Sequence, residues 1–238
     1  MSDKRGFTLV EILAALGIGA IMLAAIYSMI NLSQKTSSGM ERRVAAQQDE
    51  KTALELMAME IGMASYNPLS ISDLTLWRSS ACNAVTPNTT YKGIQNAEAN
   101  SITIQMDIND NGTMIPAANN PNEIISYNYD AGNLYITRAT NCGGAQPFLG
   151  DTATSGKTRT VRVINGDTGI YNPVIPVFRY FDGNNTEIAA PVTSSIPDIR
   201  RIEITLAVET EHPDPNNAQR KRMVYSTSVI VRNHVPAI

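Results

Sequence analysis

The sequence has few of the residues on which enzyme active sites and metal centres depend. Its 238 residues include two cysteines and two histidines, and neither histidine lies at zinc-ligand spacing from a cysteine. It contains no G-x-S-x-G nucleophile turn, no P-loop and no H-E-x-x-H metalloprotease sequence. A formal net charge of −3 gives no basic field over the whole chain. These absences argue against catalysis, and we expect no nucleic-acid partner.

Proline is absent from the start of the chain, where none precedes Pro68. An interior proline costs a helix about 3 kcal/mol, so its absence permits one helix from Phe7 to about Tyr66. Residues 12–32 carry no charge, and a run of this length can cross a bilayer as a helix. A secretory signal peptide is the alternative. Against it, the run exceeds the usual apolar core of about 7–15 residues, and no small-x-small site ends it.

The second half of the predicted helix, residues 33–66, is amphipathic. Its predicted stripe at three-four spacing consists of Met40, Val44, Gln47, Lys51, Leu54, Ala58 and Ile61, with Met57 widening it. Gln47 and Lys51 interrupt this stripe, which disfavours a coiled coil. We expect residues 54–61 to pack on a sheet, while charged residues such as Glu50 lie mostly on other faces.

Glu11 is the only charged residue between Phe7 and Gln34. A carboxylate within a membrane span costs a few kcal/mol or more, so such a residue is a functional candidate. A position near the membrane interface is the alternative. If the chain were cut between Gly6 and Phe7, the new α-amino group would lie four residues from Glu11. Such an amine could neutralise the carboxylate of a neighbouring subunit.

From Ser101 onward, apolar residues alternate with a period of two, which predicts β-strands. The predicted strands are residues 101–107, 123–130, 133–138, 158–165, 174–181, 199–209 and 222–232, the last two as antiparallel partners. The turn at residues 130–133 predicts a hairpin, and Pro173 and Pro176 make the start of strand 174–181 irregular or an edge. Residues 69–100 are predicted to be irregular. One helix followed by strands indicates an α+β fold, with the helix covering one face of an antiparallel sheet.

The two cysteines, Cys82 and Cys142, both follow the apolar run. If this part of the chain is exported, they can form a disulfide in an oxidising compartment. The bond would close a loop of about 60 residues and contribute at most about 4 kcal/mol. Two free buried thiols are the alternative.

One segment, residues 107–112, resembles the start of a calcium-binding loop. Asp107, Asn109 and Asn111 precede Gly112 with the D-x-N-x-N-G spacing at which alternating oxygens converge on Ca²⁺. The twelfth position is Ala118, which cannot supply the bidentate carboxylate. That gap favours a plain turn stabilised by Asp and Asn side chains, with no cofactor, over a calcium site.

At the start of the chain, a basic leader ends at Gly6, Phe7 follows it, and Glu11 lies near the start of an apolar helix. This start of the chain resembles the class III signal of type IV pilins and pseudopilins. In that family prepilin peptidase cuts after the glycine and methylates the new N-terminal phenylalanine, and the glutamate pairs with a subunit's N-terminus. The resemblance implies these roles for Gly6, Phe7 and Glu11. It divides the chain into a leader peptide (1–6), a transmembrane or filament-core half-helix (7–32), an amphipathic half-helix (33–66) and a β-rich periplasmic head (67–238).

Residues 53–66 and the end of the last predicted strand are similar to minor pilins of the PilW class, which are related to pseudopilins of the GspJ class. The resemblance implies a non-catalytic subunit held in the inner membrane by one span. Its expected partners are major and minor pilins and the inner-membrane assembly platform, and its expected task is to prime the pilus at or near the tip. The alternatives are a minor pseudopilin of a type II secretion system and a membrane-anchored ligand-binding domain.

Overall fold

The structure, a computed structural model, describes residues 6–69, 77, 92–112, 122–151 and 159–234. Within these ranges it has a long N-terminal helix, α1 (Leu9–Gly62), followed by ten strands in two antiparallel sheets. The predicted α+β fold, with a long helix packed on an antiparallel sheet, is therefore confirmed. The strands form two sheets where the sequence predicted one.

The first sheet contains the predicted hairpin. Its strands, in spatial order, are β1 (Ile94–Ala97), β2 (Ser101–Gln105), β3 (Ile124–Asp130), β4 (Tyr135–Thr140) and β5 (Gln146–Leu149). The hairpin turn joins β3 to β4, and Asp130 Oδ1 accepts hydrogen bonds from the amides of Gly132 and Asn133 at 2.9 and 3.0 Å. The strands β1 and β5 were not predicted, because each is short and lacks a clear alternation.

The second sheet is built around its longest strand. Its strands are β6 (Val161–Val163), β7 (Phe178–Phe181), β8 (Glu187–Ile188), β9 (Arg201–Thr210) and β10 (Arg222–Ile230). The order is β10-β9-β7-β8, and β6 also pairs with β9. The predicted pairing of β9 with β10 is confirmed, and the alternate apolar residues from Ile202 to Val208 are fully buried. The prolines delay the start of β7 to Phe178, as predicted.

The helix packs on this second sheet, along β9 and β10, by a stripe that differs from the predicted one. The buried stripe is Ala46, Glu50, Ala53, Leu54, Met57, Glu60 and Ile61. Packing of residues 54–61 is confirmed, but Met40, Val44 and Lys51 are exposed and Glu50 is buried. Small side chains at Ala46 and Ala53 let the sheet approach the helix closely, whereas Met40, Val44 and Lys51 lie outside the contact.

The helix ends at Gly62, about one turn earlier than predicted. Ser65 then adopts a left-handed conformation with φ of 65°, and its amide donates to the carbonyl of Gln105 at 2.9 Å. Gly93 passes so close that an added Cβ would lie 2.3 Å from the Ser65 nitrogen. Ser65 Oγ also lies 2.8 Å from Nδ1 of the buried His234. The turn after α1 is thus fixed between β1, β2 and the end of the described chain.

A charged hydrogen-bond network joins the helix to the first sheet. Arg138 on β4 binds Glu60 through two bonds, Nε–Oε2 at 3.0 Å and Nη2–Oε1 at 2.6 Å. The Tyr127 hydroxyl on β3 donates to the same Glu60 carboxylate. Two-point guanidinium–carboxylate pairing is stronger and more directional than a single contact. The network therefore sets both the position and the rotation of α1.

Glu50 is an anomaly in this contact because it is a carboxylate with no counter-ion. It is fully buried, and neither of its carboxylate oxygens has a hydrogen-bond partner among the described residues. Burial raises the pKa of Glu50 to about 8, and the nearby backbone amide of Tyr225 offsets part of that rise. A raised folded-state pKa means that folding is favoured most when the carboxyl is protonated.

We predict that Glu50→Gln stabilises the protein at alkaline pH. The wild-type carboxyl contributes its full stability below its unfolded pKa of about 4.5 and loses it as the pH rises to about 8. At pH 8 the free energy of unfolding of the variant should therefore be about 1–3 kcal/mol higher than that of the wild type. Chemical denaturation of the full chain at pH 5, 6.5 and 8 measures this difference.

The matched control is Glu55→Gln, which changes an exposed glutamate on the same helix. It should leave the pH dependence of unfolding as in wild type. A Glu50→Gln advantage that stays constant from pH 5 to pH 8 would contradict the assignment of a neutral buried carboxyl.

Candidate processing and assembly site

Among the described residues, the head makes no contact with the N-terminal half of α1 and leaves it bare. Its contacts with the helix reach Arg42, whose guanidinium donates to the Pro213 carbonyl at 3.0 Å, and Gly39, against which the Asp214 carboxylate packs. Residues 9–38 lie beyond, and a helical segment of that length extends about 45 Å. This exceeds the hydrocarbon thickness of about 30 Å, and α1 is long and apolar enough to cross a membrane.

The bare half of α1 begins with a capping box. Thr8 is the N-cap residue, and its Oγ1 accepts a hydrogen bond from the Glu11 amide at 3.3 Å. In return, Glu11 Oε2 accepts from the Thr8 amide at 2.8 Å and from the Thr8 hydroxyl at 2.9 Å. Thr8 was not predicted as a site residue, although threonine followed three residues later by glutamate is the signature of this cap.

This cap fixes the direction of the Glu11 carboxylate. Both of its bonds to Thr8 use Oε2, whereas an ionised carboxylate has about four acceptor sites on two oxygens. Glu11 can therefore keep its cap and still accept a cationic group through Oε1. The cap holds that oxygen at the N-terminal end of the helix, where the predicted cleavage would create an amine.

Glu11 also borders an apolar surface that extends down one side of the helix. Its lining residues are Phe7, Glu11, Ile12, Ala15, Leu16, Gly19, Ala20 and Leu23. Phe7 is 85% exposed, and the small residues in this set allow another helix to approach closely. The site combines one carboxylate with a helix-packing face, an arrangement suited to assembly.

The other predicted site residues lie in the head. The loop at Asp107 forms a tight turn, in which the amides of Asn111 and Gly112 donate to the Asp107 carboxylate at 3.2 and 3.0 Å. Asn111 also donates its amide to Asn109 Oδ1 at 3.1 Å. Across the described ranges, no group of three or more His, Cys, Asp or Glu side chains is placed to hold a metal. Calcium binding by this loop stays a prediction.

The predicted disulfide is only partly within the described chain. Cys142 lies in the turn after β4 and is not a free thiol. Cys82 lies outside the described residues. The pairing of the two cysteines therefore stays a prediction.

His234, in the described part of the head, has a structural role. His234 is buried, and its Nδ1 and Nε2 each lie 2.8 Å from an oxygen, Ser65 Oγ and the Ile196 carbonyl respectively. Burial lowers the pKa of His234. The His234 carbonyl also accepts from Arg200 Nη1 at 3.0 Å, so Arg200 holds the end of the described chain in place.

Comparison with known proteins identifies the N-terminal segment. Residues 1–27 match the prokaryotic N-terminal methylation motif. No curated protein and no solved structure matches the chain. The motif supports a type IV pilin or pseudopilin in general, and thus a structural subunit that prepilin peptidase processes and that assembles with other pilins. The apolar half of α1 fits a subunit anchored in the membrane by a single span.

Proposed function

We propose that this chain is a minor type IV pilin that helps to prime pilus assembly and lies at or near the pilus tip, without catalytic activity. One observation carries the proposal: a bare apolar half-helix with a single capped carboxylate, Glu11, projects from a folded head. The methylation motif over residues 1–27 supports it. Residues 53–66 resemble minor pilins of the PilW class, and the size of the head, residues 67–238, favours a pilus over a secretion system.

Cleavage between Gly6 and Phe7 would change the electrostatics of the helix start. The new amine would stand at the positive end of the α1 dipole, where a cation is unfavourable. An ionised Glu11 carboxylate without a partner would also be unfavourable in lipid. Pairing the amine of one subunit with Glu11 of its neighbour removes both costs at once, and only in one axial register. Assembly thus depends on helix packing and charge neutralisation.

Before assembly, the subunit would wait in the inner membrane with its head in the periplasm. The inner-membrane assembly platform would then transfer it to the growing filament, where the bare half of α1 packs against the helices of other minor and major pilins. An oxidising periplasm would also allow the Cys82–Cys142 disulfide, which we propose as a cross-link that stabilises the head.

A minor pseudopilin of a type II secretion system is the second candidate. The methylation motif supports it equally, because pseudopilins carry the same signal. The head and the capped Glu11 would serve the same physical purpose in that system.

We predict that the mature protein begins at Phe7 and carries one added methyl group on its amine. Cleavage removes the leader, Met1–Gly6, and the resulting loss of mass distinguishes the processed from the unprocessed chain in intact-mass analysis. The protein is taken from cells with active prepilin peptidase, and a strain lacking the peptidase serves as the control. Retention of Met1–Gly6 in the peptidase-positive strain would refute the proposed processing.

We predict that Glu11→Ala and Glu11→Gln both leave processing intact but reduce incorporation into filaments by about 10-fold or more, because an uncompensated amine in an apolar contact costs a few kcal/mol. Immunoblots of sheared filaments against whole cells measure incorporation. Glutamine can also serve at this position of a capping box. Normal incorporation of Glu11→Gln with loss only in Glu11→Ala would assign Glu11 to capping and contradict neutralisation.

The experiment that separates the two machines is deletion of the gene, with surface pili and secreted enzymes measured in the same strain. The minor-pilin proposal predicts that pili are lost while secretion stays normal, and that a plasmid copy restores the pili. Normal pili with lost secretion would overturn that proposal and assign the chain to the secretion system.

A further inference from the structure

Two buried carboxylates flank the loop between β2 and β3. Asp107 follows β2 and Glu123 precedes β3, and their exposed fractions are 0% and 1%. The Met106 amide donates to the Glu123 carbonyl at 2.9 Å, which holds the two ends of the loop together. The whole loop separates the two residues in the sequence, which conceals this proximity.

The Glu123 side chain faces the D-x-N-x-N-G segment. Its Oε1 lies 3.4 Å from the amide nitrogen of Asn109, within that segment. Its other oxygen, Oε2, is buried and has no hydrogen-bond partner among the described residues. Burial raises the pKa of Glu123, and the negative charge of Asp107 adds to that rise. Glu123 therefore places its carboxylate beside the loop and has one oxygen that is buried and unsatisfied.

No cation of the described chain compensates these carboxylates. The ion pairs among the described residues involve neither Asp107 nor Glu123. Buried charges in proteins are normally paired or coordinate metals, because removing them from water is costly. Two such carboxylates at one loop, beside the exposed Asn109 and Asn111, favour an external cation.

The loop places its oxygens as a hard cation requires. Asp107 accepts two loop amides, and Asn109 Oδ1 accepts one, so these side chains are held on the inner side of the turn. Each Asp107 oxygen accepts one of these amides and retains a second lone pair for a cation. Calcium takes six to eight oxygen ligands in flexible geometry, whereas magnesium requires a near-ideal octahedron and retains water.

We propose that Asp107, Asn109, Asn111 and Glu123 bind Ca²⁺, with Glu123 supplying the second carboxylate that the loop lacks at its twelfth position. The ion would brace the head at the end of α1. The Asp107 amide donates to the Tyr66 carbonyl at 2.9 Å, just beyond the helix, while the Glu123 amide donates to Asn141 Oδ1 at 3.1 Å, beside Cys142. Calcium would thus join the helix end, β2, β3 and the turn after β4.

The test is calcium binding by the full chain in detergent, measured by titration calorimetry and by thermal unfolding in Ca²⁺, in Mg²⁺ and in chelator. We expect a dissociation constant of roughly 0.1–1 mM, and a rise in Tm of about 5–10 °C at a hundredfold excess over that value. Glu123→Gln should weaken calcium binding about 10-fold or more. It should fold normally in chelator, because it replaces a buried charge with an isosteric amide.

The matched control is Asp110→Asn, which removes an exposed carboxylate in the same loop, and it should bind calcium as wild type does. Absence of calcium binding by the wild type at 10 mM, a concentration roughly tenfold above the weakest expected dissociation constant, would overturn the proposal. Equal affinity of Glu123→Gln and wild type would also overturn it, as would equal loss in Asp110→Asn or equal affinity for Mg²⁺. None of these outcomes depends on the pilin assignment, which cell-based assays test separately.

Discussion

The structure depends on one constraint: a single helix must satisfy two different surroundings along its length. Residues 39–62 of α1 lie against the head, whereas residues 9–32 present large apolar side chains on every side. Exposure of that second surface to water is unfavourable, so lipid or other helices must cover it. The head therefore needs to fold without the bare half, and the bare half needs partners that the head does not supply.

The contact between helix and head meets this demand by being polar as well as apolar. Met57 and Ile61 supply buried area, but apolar packing alone would allow α1 to slide or rotate by one position at small cost. The bonds from Arg138 and Tyr127 to Glu60 admit one register. Fixing the register matters because the direction in which the Glu11 carboxylate points is set by the same rotation of the same helix.

The sequence predicted what depends on local pattern and missed what depends on contacts across the fold. The long helix, the hairpin at Asp130 and the β9–β10 pair follow from proline placement, turn residues and strict alternation, and all are confirmed. The predicted stripe was wrong before Leu54, because burial of Glu50 and exposure of Lys51 depend on how closely a sheet approaches two alanines. The Asp107 loop was found by its spacing, but Glu123 was not, since it lies at the far end of that loop in the sequence.

The two proposed sites lie at opposite ends of α1, whose 54 residues span about 80 Å. Screening at physiological ionic strength acts over about 8 Å, so charge at the calcium loop cannot influence Glu11 directly. What connects them is the stiffness of the helix and the register set by Glu60. An ion that braces the turn after Gly62 would act on assembly only by holding the head in a fixed orientation on α1. Anchoring and head stability are therefore separable physical properties of one chain.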